Sequence, residues 1–201
     1  MSSQKASPKT SPKDLPELTF GSKKAWAAWL EKNHSTSAGV WMKLAKKGSG
    51  MKSVSYAEAI EVALCYGWID GTKQPFNDEW WLQKFTSRSP KSIWSKLNRE
   101  KAEAFIKSGE MKPAGLAAIE AARTDGRWER AYDSQGKASV PDDFQAALNK
   151  NPEAKAFFVT LNSANRYSVL FRVQNAKRAE TRAQRIRHFV EMLARHEKLH
   201  P

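Results

Sequence analysis

The chain has 201 residues, 40% of them hydrophobic and 27% charged, with a formal net charge of +13. That length supports one substantial core or two small ones, no apolar run is long enough to cross a bilayer as a helix, and a single cysteine, Cys65, excludes a disulfide within the chain. The positive balance favours acidic partners such as nucleic acid, anionic lipid heads or phosphorylated ligands, without selecting among them.

Met1 to Pro16 is polar, with Lys5, Lys9, Lys13 and three prolines. It lacks the apolar centre of a secretory signal, and its composition predicts a disordered basic tail over 1–17. Together with the lone thiol, this sets a cytoplasmic location as the expectation. Leu18 to Phe20 is a short extended segment. Ser22 caps a helix from Lys23 to about Asn33, with Trp26, Trp29 and Leu30 on one face. Val40 to Leu44 alternates as a strand, and the glycines and lysines of Lys46 to Lys52 mark a loop. Ser55 and Glu58 form a capping box for a helix that turns Ala59, Ile60, Ala63 and Leu64 inward and stops at Gly67. Trp68–Lys73 and Glu79–Thr86 form a hairpin around Pro75–Asp78, with Trp81 and Phe85 on one face and Trp80 and Leu82 on the other.

Ser89-Pro90 predicts the start of another helix, proline being tolerated in its first turn. Ile93, Trp94 and Leu97 are its apolar side, and Asn98 caps a continuation to Gly109. A further helix runs from about Pro113 to Arg123, with Leu116 and Ile119 inward. Periodicity breaks between Asp125 and Ser139. Beyond it the chain reads all-helical, with apolar stripes at Phe144 and Leu148, at Phe157, Phe158 and Leu161, at Tyr167, Leu170 and Phe171, and at Ile186, Phe189, Val190 and Leu193. The predicted fold class is α+β: N-terminal helices packed on a small antiparallel sheet over 18–124, a connector over 125–139, and a C-terminal helical bundle over 140–201.

Three stretches, Ser55 to Gly71 (SYAEAIEVALCYGWIDG), Leu82 to Leu116 and Asn151 to Arg195, resemble the YdeI/OmpD-associated, or bacteriocin-protection, family. The resemblance implies stress or antimicrobial-peptide resistance and supplies no catalytic residues. The porin association in the family's label is not carried over to this chain.

The middle third concentrates aromatic rings and cations. Trp68, Trp81, Phe85 and Trp94 supply walls and Asp70, Lys73, Arg88, Lys91, Lys96 and Asn98 supply polar tips of a candidate ligand site, since such sites join apolar walls to a few convergent polar groups. A helix N-terminus at Ser89, flanked by Arg88 and Lys91, would favour an anionic group. The same aromatics also fit a packed core, and Asp70 also fits an ion pair closing the hairpin. Arg178, Arg182 and Arg185 recur at helical spacing and form an alternative, a basic ridge for non-specific nucleic-acid binding, although a solvated helix face has the same pattern.

Two motif matches fail on their own terms. His196-Glu197-Lys198-Leu199-His200 fits the zinc pattern H-E-x-x-H, but it falls in the last turn of the sequence. Gly48 to Ser53 faintly resembles a phosphate loop, with Met51 where glycine must precede the lysine. Cys65 has no base nearby in sequence and reads as a small buried hydrophobe. The expected function is a non-catalytic protection protein that binds a small anionic ligand or a protein partner, with no cofactor and no metal. Its alternatives are a nucleic-acid-binding protein and an enzyme with an acid–base site at Asp70.

Overall fold

The computed structural model describes residues 15–201; the expected tail falls outside them up to residue 14. Among the described residues the chain is mixed α+β, with eight α-helices and four strands. The described residues divide into two compact units, one comprising those up to Ser92 together with Asn98–Glu129, the other Ile93–Leu97 and Arg130–Pro201.

The first unit holds β1 (Glu17–Thr19), α1 (Lys23–Asn33), β2 (Val40–Ala45), α2 (Tyr56–Cys65), β3 (Trp68–Pro75) and β4 (Trp80–Ser87). Within the range expected as tail, Leu15 is buried and Glu17 opens β1. The sheet order is β1-β2-β4-β3. The antiparallel expectation needs correction, because β1 pairs with β2 in parallel while the other two pairings are antiparallel. Parallel neighbours need a crossover connection, and α1 supplies it.

Ser22 accepts the Ala25 N–H at 3.2 Å and starts α1. The capping box of α2 is complete, with Ser55 Oγ accepting from Glu58 N and Glu58 Oε2 accepting from Ser55 N at 2.9 Å. Gly67 leaves α2 at φ 70°, the left-handed region. Trp26 and Leu30 of α1 pack with Val40, Met42, Ala59, Trp68 and Phe85 in one core. Both buried indoles are satisfied: Trp26 Nε1 donates to Ala59 O and Trp68 Nε1 to His34 O, each at 3.1 Å. Each large side chain so buried contributes about 1.5–3 kcal/mol.

Helix α3 (Lys96–Ser108) brings Phe105 against this core, and α4 (Pro113–Thr124) packs on the end of α2. That contact is close: a Cβ at Gly115 would lie 2.4 Å from Cys65 O. Leu116, expected inward, is 44% exposed; Ile119 is buried as expected.

The second unit contains α5 (Asp142–Asn149), α6 (Pro152–Thr160), α7 (Ser163–Gln174) and α8 (Ala179–Ala194). Phe144, Leu148, Phe158, Leu170, Phe189 and Leu193 share its core. Asn151 and Asn162 cap α6 and α7. Residues Trp94–Lys96 form a short bridge with Tyr132, through Tyr132 N to Trp94 O at 3.0 Å and Lys96 N to Tyr132 O at 2.8 Å. This extended pairing uses the backbone groups that a helix would need, so the helix expected from Ser89-Pro90 starts instead at Lys96. Leu97, expected on its apolar side, is 51% exposed.

Candidate functional site

Partnered residues of an antiparallel pair point to the same face. Trp68 and Asp70 of β3 therefore share a face with Ser87 and Phe85 of β4, and Lys73 and Pro75 share it with Gln83 and Trp81. Asp70 and Lys73 are three residues apart and would point to opposite faces of a regular strand. A register shift between them restores the parity. Gln83, buried on that face, holds the irregularity: its amide donates to Gly71 O at 2.8 Å and reaches Thr72 O and Lys84 O at 3.4 and 3.3 Å.

Along this face burial changes from sealed to open. Phe85 lies inside the core, whereas Trp81 is half-buried and packs at its margin. Tyr56, the first residue of α2, reaches this end of the hairpin. Its ring meets Trp81 edge-on at 5.6 Å, and its hydroxyl donates to Asp70 Oδ2 at 2.6 Å. Lys73 Nζ lies 4.5 Å from the Trp81 ring centroid, a cation–π distance.

Two concavities meet at Trp81. One, about 480 Å³, lies under the Lys46–Ser55 loop and is lined by Lys46, Lys47, Lys52, Tyr56 and Trp81 among others. The other, about 520 Å³, is lined by Lys46, Lys73, Pro75 and Trp81. Neither lining includes a carboxylate, a histidine or a cysteine. The loop is held at both ends, by Lys46 N donating to Glu79 O at 2.8 Å and by Ser53 Oγ accepting from Ala45 N at 3.0 Å. Such a surface can bind an anion, with a flat portion against the indole.

The hollow expected from sequence forms only in part. Lys73 and Trp81 line it, and Asp70 touches it only through Tyr56, whose hydroxyl it accepts. Trp68 and Phe85 do not wall it, being 1% and 0% exposed in the core. Trp94, 1% exposed, and Lys96, paired with Asp133 at 2.8 Å, belong to the second unit. Arg88 is half-buried after β4, with its N–H on Gly67 O; Lys91 is exposed and Asn98 half-buried. No helix starts at Ser89: Ser89 and Ser92 close a turn, with Ser89 N donating to Ser92 Oγ at 3.0 Å, so the expected helix-end anion site does not exist. Asp70 takes Tyr56 rather than Arg88 or Lys73 as its hydrogen-bond partner. Tyr56, Lys46 and Lys52 were not singled out from sequence. The available signal was the capped start of α2 directly after a lysine-rich loop.

The alternative ridge on α8 is largely committed to the fold. Arg182 Nε and Nη2 donate to Asp143 at 2.6 and 2.8 Å, and its Nη1 donates to Val173 O at 2.9 Å. The Arg182 hydrogen bond also holds the Asp143 carboxyl below its usual range. Arg185 donates to Arg172 O, and Arg178 precedes the first turn of α8. The H-E-x-x-H run is not helical: α8 ends at Ala194 and His196 has φ 58°. His196 Nε2 contacts Glu153 at 2.6 Å and His200 Nε2 contacts Ser168 at 2.9 Å. Among the described residues, no group of three or more His, Cys, Asp or Glu side chains is placed to hold a metal ion, and no helix is long and apolar enough to cross a membrane.

These features define a two-unit α+β protein whose sheet-bearing unit presents a lysine-lined aromatic surface. The chain belongs to the domain family of unknown function DUF8412, whose model matches residues 18–118, and it carries a domain of the bacteriocin-protection, YdeI or OmpD-associated family over residues 137–196. No curated protein and no solved structure matches it. The stretches Ser55–Gly71 and Leu82–Leu116 thus fall in the first match, and Asn151–Arg195 in the second.

Proposed function

We propose that the protein is a non-catalytic, cytoplasmic binding protein that takes a small anionic ligand against Trp81, in the protective role that the description of its C-terminal family suggests. The observation that carries this reading is the lining at Trp81: Lys46, Lys47, Lys52 and Lys73 line the two concavities that share this half-buried indole, and no carboxylate lines either concavity. Among the described residues none of these four lysines is held in an ion pair. A bound anion would supply the missing counter-charge, and a planar group beside it would lie on the ring that Lys73 now covers. Asp70 acts at one remove, fixing the Tyr56 ring that borders the indole.

A small ligand suits this surface better than a protein partner, because the charge is concentrated in concavities of ligand size. The test is a titration of intrinsic fluorescence with pyrophosphate, adenosine monophosphate and citrate. A saturable change in the parent that disappears in a Lys46→Ala, Lys73→Ala variant, which keeps the Trp81 indole as reporter, supports the reading. A panel that leaves the parent unchanged removes it.

A further inference from the structure

The first unit has another concavity, about 460 Å³, bounded by α1, α2, α3 and the link before α4. Its volume lies within the roughly 300–1,000 Å³ typical of small-molecule sites. Ala27, Val62, Cys65 and Phe105 give it an apolar lining. The Cys65 thiol behaves as part of that lining, because burial pushes its pKa up to about 11 and keeps it as neutral S–H near pH 7.

The charged residues at the rim do not cancel. Glu61 is already neutralised on both oxygens, by Lys23 on Oε2 and Lys101 on Oε1, each at 3.2 Å. Burial pushes its carboxyl up, but the lysine hydrogen bonds outweigh burial and hold it below its usual value. Lys24 and Lys112 remain, with no ion pair among the described residues, against the single carboxylate of Glu110, which accepts the Ser108 hydroxyl at 2.9 Å. Two lysines share Glu61 and two more face the one carboxylate of Glu110, so the apolar interior lies under a net positive rim, complementary to a molecule with an apolar body and one negative charge.

The cavity is also preformed. Lys112 N donates to Cys65 O at 3.0 Å, and Gly115 sits so close to that carbonyl that α4 cannot slide on α2 without loss of contact. The rim lysine and the cavity lining are therefore fixed to each other, which lowers the ordering cost of binding.

We propose that this cavity binds a small monocarboxylic acid, with its aliphatic or aromatic body on Ala27, Val62, Cys65 and Phe105 and its carboxylate between Lys24 and Lys112. The site is separate from the one at Trp81 and does not depend on it.

The experiment uses the whole chain with 8-anilinonaphthalene-1-sulfonate as reporter and octanoate, octanol and octylammonium as competitors. One molecule of reporter binds, octanoate displaces it, and octylammonium does not. The exposed double variant Lys24→Glu, Lys112→Glu weakens octanoate by about tenfold or more, while Lys46→Glu, Lys73→Glu leaves it within about twofold. Because a variant can misfold, methyl resonances of Ala27 and Val62 are followed in the parent as octanoate is added, and they shift in a saturable way. Equal displacement by octanol and octanoate, unchanged affinity in the Lys24, Lys112 variant, or unmoved Ala27 and Val62 methyls would each overturn the assignment.

Discussion

Gly115→Ala sets two physical effects against each other within α4. Intrinsic propensity favours alanine over glycine by about 1 kcal/mol in a helix interior. Packing opposes it: the new Cβ would lie 2.4 Å from both Cys65 O and Met111 Sδ, and 3.0 Å from Cys65 C. The methionine sulfur can swing aside. The carbonyl cannot, because it belongs to the last residue of α2 and accepts the Lys112 N–H. A retreat of α4 would also give up the close approach of Ala114 O to Gly67. Forcing atoms into such a contact typically costs about 1–3 kcal/mol, and a rigid backbone partner places this case at or beyond the upper end. The expected net loss is about 2 kcal/mol or more. Urea unfolding followed by tryptophan fluorescence measures it in the right place, because all of the eight tryptophans except Trp94 lie in the first unit. Gly21→Ala is the control: no atom crowds a Cβ there, and it should be neutral or slightly stabilising. A midpoint for Gly115→Ala equal to or above the parent's would refute the close α2–α4 contact.

Other consequences follow from single groups. Gln83→Leu removes the amide that holds the Gly71 and Thr72 carbonyls and should cost about 1–3 kcal/mol, with faster amide exchange at 71–73 than in the parent; unchanged exchange would mean that the side chain does not hold the bulge. The Asp143 carboxyl is depressed below 3.8 by Arg182, so the stability it gives is present above that value and is lost as pH falls through its folded pKa. Both partners are partly exposed, so the effect is small, about 0.5–1 kcal/mol, and Asp143→Asn should flatten the acid limb of the pH–stability curve. Cys65 should label slowly with thiol reagents at pH 8 and rapidly in urea. Its pKa rises on folding from 9.0 to about 11, so the unfolded chain releases the proton first and stability falls across that interval. Fast labelling of the folded protein at pH 8 would contradict its burial.

Elements whose signals are local were legible in the sequence. The capping box of α2, its glycine stop, the β3–β4 hairpin and the apolar stripe of α8 all depend on residues within a few positions of one another. What escaped depends on distant partners. The parallel β1–β2 pairing requires α1 as a crossover. The late start of α3 is imposed by Tyr132, which lies 37 positions beyond its bridge partner Ser95. The site shows the same division. Alternation placed Trp81 and Phe85 on one face, but it could not show that α1 and α2 seal one end of that face and leave the other open. The register shift that carries Lys73 to Trp81 has only Gly71, a glycine within a strand, as its sequence trace.

The central claim is that the lysines around Trp81 bind an anion. Calorimetric titration of adenosine monophosphate into the parent and into a Lys46→Glu, Lys73→Glu variant, at low and high salt, tests it most directly. The account predicts one site in the parent, weakened by salt and abolished by the two charge reversals. Binding that is indifferent to both salt and charge reversal, or no heat from the parent at low salt, would contradict it.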